Sequence, residues 1–77
     1  MHILIGNQEF NTNPSGLSTK LLFKGTVHTG TSLVETVYGV TKDEVISLAY
    51  QLKELNKDFN TVHLYNPTGE YIGVKFL

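Results

Sequence analysis

The chain lacks cysteine and arginine altogether and has two prolines in 77 residues. Without cysteine there is no disulfide, and a CxxC-type zinc site is excluded. Without arginine there is no fork-shaped donor for bidentate contact with a carboxylate, a phosphate or guanine. Six lysines stand against seven acidic residues, for a net charge of −1. The clustered basic excess typical of nucleic-acid binders is therefore missing, and nucleic acid is an unfavoured partner. No apolar run approaches the ~20 residues of a membrane span. The start of the chain shows no basic region followed by a long apolar stretch, so no signal peptide is visible. With no cysteine to oxidise, the expected compartment is the reducing cytoplasm, with no membrane association.

What is present is a foldable composition, 40% hydrophobic. At 8.6 kDa the chain is long enough for one core and one domain, spanning residues 1–77. A folded monomer of that mass should expose roughly 4,700 Å², a marginal degree of burial. Good packing and self-association are the remaining sources of stability.

The apolar run Met1-His2-Ile3-Leu4-Ile5, closed by Gly6, reads as a strand. Residues 7–18 carry loop chemistry, with Asn, Thr, Pro14 and Gly16. Extended runs over 20–26 and 32–41 read as a hairpin. A tight Thr29-Gly30 loop would pair Leu21 with Tyr38, Phe23 with Thr36, Gly25 with Val34 and Val27 with Ser32, although Thr-Gly is not the preferred type I′ pair and a longer loop is the alternative. That register sets Lys24 opposite Glu35, Leu22 opposite Val37 and Thr26 opposite Leu33. Thr41-Lys42-Asp43-Glu44 fits a capping box, and Val45, Leu48, Ala49, Leu52 and Leu55 recur at helical spacing. Ile46 and Tyr50 fall outside that stripe. Phe59 to Tyr65 and Glu70 to Leu77 flank Asn66-Pro67-Thr68-Gly69, which is type I turn chemistry with Gly69 supplying a positive φ. This pairs Tyr65 with Tyr71, Leu64 with Ile72 and Val62 with Val74. Val62, Leu64, Ile72, Val74 and Phe76 would form the core face, and His63, Tyr65, Tyr71 and Lys75 the outer one. The expected fold is α+β, a mostly antiparallel sheet with one helix packed on it, in the order β-β-β-α-β-β.

The chemistry-bearing residues form no catalytic pattern. His2, His28 and His63 have no second ligand at HxH or HxxxH spacing. Ser15 and Ser18 lack a nucleophile-elbow context, and the acids are scattered or serve the helix start. Gly39 precedes the helix without phosphate-loop spacing, so a close approach of helix to strand is the expected reason for it. Ile3-Leu4-Ile5-Gly6-Asn7 and Gly69-Glu70-Tyr71-Ile72-Gly73-Val74-Lys75-Phe76 loosely resemble the two strand signatures of RNA-recognition motifs. Leu4 stands where the stacking aromatic belongs, no helix follows the first strand, and the second signature falls at the end of the chain; the match is treated as chance.

The surplus is surface. Tyr65, Tyr71, His63 and Lys75 on the C-terminal hairpin, and Ile46 and Tyr50 on the helix, exceed what one helix covers. The expectation is a non-enzymatic protein that acts through protein–protein contacts, as a dimer or higher oligomer of itself or on an unidentified protein, with no metal or cofactor. In style it resembles phage-encoded accessory proteins, including inhibitors. Two alternatives stand beside it: nucleic acid or a nucleotide on the Tyr65/Tyr71 face, and a small molecule held at a subunit boundary.

Overall fold

In the computed structural model, residues 1–30 and 34–77 are described. The first strand, β1 (His2–Ile5), turns at Gly6-Asn7 into β2 (Gln8–Asn11), and a 3₁₀ turn at Thr19–Leu21 leads into β3 (Phe23–Thr29). β4 (Val34–Gly39), α1 (Lys42–Leu55), β5 (Phe59–Tyr65) and β6 (Tyr71–Phe76) follow. The α+β class, with one helix on antiparallel sheet, is as expected; β2 is one strand more than expected. β1 and β2 form a separate ribbon beside a four-stranded sheet of order β4-β3-β5-β6. The chain exposes 4602 Å², close to the expected area.

The additional strand comes from the turn before it. Gly6 and Asn7 both have positive φ, 52° and 71°, as a two-residue type I′ hairpin requires. Ile5 thus pairs with Gln8, and Ile3 with Phe10. Phe10 and Ile5 are buried and join the main core. Beyond β2, Thr12 accepts the Tyr38 amide at 2.8 Å, tying this segment to the free edge of β4. The loop expected over 7–18 is therefore strand over Gln8–Asn11, and it packs beside the sheet.

β4 and β5 both run antiparallel to β3, so α1 crosses over β3 between them. The helix packs on β4, β3 and β5. Its start is the expected box: Glu44 donates its amide to Thr41 Oγ1 at 3.1 Å, and Glu44 Oε1 accepts the Val40 amide at 2.6 Å. Val45, Leu48, Ala49 and Leu52 are buried, as their spacing predicts. They meet Val27, Val37, Val62 and Leu64 from the sheet. The helix comes close at Gly25, where a Cβ would collide with Val45 of α1 and with Val62 of β5. Gly39 also reflects close approach, since its Cβ would lie 2.9 Å from that of Glu44.

Two registers differ from expectation. In the β3–β4 hairpin Gly25 pairs with Val37, Lys24 with Tyr38 and Val27 with Glu35. The connection is longer than two residues, and the three-residue shift turns β4 over. Val37 becomes the core residue, whereas Val34 and Tyr38 face away from the helix. Lys24 and Glu35 are not partners. Ser32 and Leu33, expected opposite Val27 and Thr26, lie outside the described residues.

The second difference is in β6. Tyr65 pairs with Tyr71 as expected, but Leu64 pairs with Gly73, leaving Ile72 as the extra residue of a β-bulge. Gly73 takes φ 145°, open to glycine. The rest of β6 is shifted by one: His63 pairs with Val74, Thr61 with Phe76 and Val62 with Lys75. Val74 and Phe76 therefore lie on the face turned away from the helix, not in the core. Lys75 leaves the tyrosine face for the helix side, at the sheet edge.

Candidate functional site: an uncovered sheet face

Alternation along the strands, with Val27, Val37, Val62 and Leu64 under the helix, defines the opposite face. It comprises three rows of four residues. Tyr38, Lys24, Tyr65 and Tyr71 form the first row; Thr36, Thr26, His63 and Val74 the second; Val34, His28, Thr61 and Phe76 the third. None of the twelve is buried. Val34, Tyr71, Val74 and Phe76 are exposed, Phe76 at 76%. The ribbon of β1 and β2, a natural candidate to cover this face, contributes Ile5 and Phe10 to the core on the helix side instead.

The rings on this face touch one another. Tyr65 and Tyr71 meet edge-on with centroids 5.5 Å apart, and Tyr71 lies 5.8 Å from His63. His63 in turn meets His28 edge-on at 4.8 Å. Lys24 Nζ sits 4.6 Å above the Tyr65 ring, a cation–π contact. Two polar contacts hold the imidazoles: His63 Nδ1 is 3.3 Å from the Tyr71 hydroxyl, and His28 Nε2 is 3.0 Å from Thr26 Oγ1. Burial, and then the neighbouring His63, lower the pKa of His28 below the usual imidazole value. No carboxylate belongs to the face. Among the described residues Lys24 is its one lysine.

The hairpin that builds one end of the face is held by its turn. Asn66 Oδ1 accepts the Thr68 amide at 3.1 Å, the Thr68 hydroxyl at 2.7 Å and the Glu70 amide at 3.0 Å. Gly69 adopts φ 90° and donates to the Asn66 carbonyl at 2.8 Å. This rigid corner fixes Tyr65 against Tyr71.

Of the six residues singled out in the sequence, the structure brings three together, namely Tyr65, Tyr71 and His63. Lys75 is on the other side of β6. Ile46 is partly buried and packs against the core, so it belongs to the helix's inner flank. Tyr50 is 42% exposed and stands apart from the open face. Sequence reasoning missed Val74, Phe76 and Val34 as surface residues, along with His28 and Lys24 as ring partners. The Tyr-Ile-Gly-Val stretch was the signal available, because a glycine inside a strand marks a bulge. His2 lies elsewhere, 3.6 Å from Glu9 across the β1–β2 ribbon. Among the described residues no three His, Cys, Asp or Glu side chains gather into a metal-binding group. No described helix is long and apolar enough to cross a membrane.

The fold and face define a small α+β domain with one sheet surface left uncovered. Comparison with protein-family models, curated proteins and solved structures finds no match for the chain.

Proposed function

We propose that this chain is a non-enzymatic protein-binding module whose open sheet face associates with a second copy of itself. The observation that carries the reading is the bulge at Ile72, which turns Val74 and Phe76 out to join Tyr71 and Val34 on a face where no residue is buried. Exposed apolar patches of this kind are typical of association surfaces. The edge of β6 is a poorer docking site, because a bulge and Lys75 both discourage strand addition. Face-to-face contact is therefore favoured over edge pairing. A second copy suits the charge distribution. Lys24 lies in the first row, whereas the third row, Val34, His28, Thr61 and Phe76, carries no lysine and no carboxylate. A two-fold axis through that end keeps the two lysines apart. Binding of this kind fits the resemblance in style to phage-encoded accessory and inhibitor proteins.

Sedimentation equilibrium at micromolar concentration tests the reading. The expected mass is a multiple of 8.6 kDa, falling to the single-chain value in Phe76→Asp. A monomer at every accessible concentration overturns self-association.

A second reading has its own observation, the row Tyr38, Lys24, Tyr65 and Tyr71, with a cation held over a ring. Bases of a single strand could stack on such a row. Binding of an oligo-dT probe that falls steeply with salt would favour it.

A further inference from the structure

We infer that the cleft between the 3₁₀ turn and the β5–β6 turn is a binding site for small oxyanions, ligands that carry a carboxylate or a phosphate. The cleft measures about 190 Å³ and opens at the end of the first row of the sheet face. Thr19, Lys20 and Leu22 line one side, Lys24 and Tyr38 the floor of the sheet, and Asn66, Pro67 and Gly69 the turn opposite.

Four features point to an anion. The lining holds two lysines and no acidic residue, although the chain as a whole is net negative. Among the described residues neither Lys20 nor Lys24 forms an ion pair; the pairs present are Lys57–Glu54 and His2–Glu9. Their positive charge is therefore not neutralised at short range. Lys24 is also steered into place by the Tyr65 ring, which reduces the side-chain entropy lost on binding a ligand. Leu22, almost fully buried, and Pro67 supply apolar walls, against which a charge contact is stronger than in open water. Lysines act here as point charges, so the site suits a compact anion rather than bidentate recognition. Glu70 follows the lining residue Gly69 and does not itself line the cleft; its carboxylate accepts from Nδ2 of Asn66, a lining residue, at 3.3 Å.

The site is complete in one chain and does not depend on self-association. Sodium phosphate and sodium acetate, each titrated at constant ionic strength against sodium chloride, are suitable probes, with amide chemical shifts as the readout. Saturable shifts are expected at Leu22, Lys24, Tyr38 and Gly69, with a dissociation constant in roughly the millimolar range. Lys20→Gln and Lys24→Gln should each weaken binding about tenfold, whereas Lys24→Arg should retain it. Lys20→Gln lies outside the sheet, and its unchanged melting curve would separate lost binding from lost fold. Saturation by phosphate alone assigns a phosphorylated ligand; saturation by both probes admits a carboxylate. Shifts that never saturate, that chloride reproduces, or that spread equally to Lys42, Lys53 and Lys57 overturn the proposal.

Discussion

His63 and Val74 face each other across β5 and β6, so a histidine and a valine that simple alternation assigns to opposite faces share one. A single extra residue, Ile72, makes the difference. Two apolar side chains leave the core side, and the lysine between them moves the other way. The chain still buries enough to fold, because Phe59, Val62 and Leu64 fill the β5 side of the core.

The bulge depends on Gly73. Its φ of 145° is strained for any side chain, while the space around its missing Cβ is empty. Gly73→Ala should therefore act through the backbone alone and cost about 1–3 kcal/mol. Urea denaturation measures the loss. An unchanged midpoint would mean that β6 adopts the unbulged register with ease.

The contact of helix and sheet sets the largest effects. Leu52 is fully buried, so Leu52→Ala should cost about 2–5 kcal/mol. Gly25→Ala should cost about 1–3 kcal/mol for the opposite reason, a methyl group driven into Val45 and Val62. Tyr50→Ala, on an exposed position, should stay within about 0.5 kcal/mol. Thermal melts of the three variants give the ranking. A Tyr50→Ala loss equal to that of Leu52→Ala would contradict the helix orientation.

Local signals were readable where chemistry and geometry are adjacent in sequence. The Thr41 and Glu44 cap, the Val45–Leu48–Ala49–Leu52 stripe and the Asn66–Gly69 turn each involve residues a few positions apart. The Gly6-Asn7 turn was equally local, yet the polar content of residues 7–18 masked the short strand that follows it. Register was harder, because a change of one residue inverts a face. Lys24 opposite Glu35 offered a plausible charge match, but burial of Val37 under α1 outweighs an exposed ion pair worth at most about 1 kcal/mol. The candidate site was half readable for the same reason: Tyr65 and Tyr71 follow from the turn, whereas Val74 and Phe76 follow from a bulge beyond it.

Protonation should loosen this face. The folded state holds the His28 pKa below its ordinary value of 6.5, through burial and then His63. The unfolded chain therefore takes up a proton first as pH falls. Stability should be highest above about pH 6.5, fall as pH drops through that value, and level off below the lowered pKa. Lys24, Tyr38, Tyr65 and Tyr71 are the other titratable groups on the face, and among the described residues no carboxylate on it offsets the charge. Melting temperatures from pH 8 to 5 should show the decline, and His28→Asn should flatten it. An unaltered slope in the variant would assign the decline to other groups.

Association and folding should separate at the tyrosine pair. Tyr65 and Tyr71 touch each other on an open face, so their mutual contact contributes only about 0.2–1 kcal/mol to the hairpin. The Asn66 turn and the backbone ladder hold the strands without them. Replacing both with serine should therefore leave a cooperative melt only slightly lowered. If the face is a contact surface, the same double variant removes two large rings from its centre and should shift the sedimentation mass to a single chain. Phe76→Asp probes the lower end of the face independently, with a charge in place of a ring. Loss of association in both variants with folding kept would locate the contact on this face. Association that survives in both would move it to another surface, where Tyr50 on α1 is the exposed aromatic next in line.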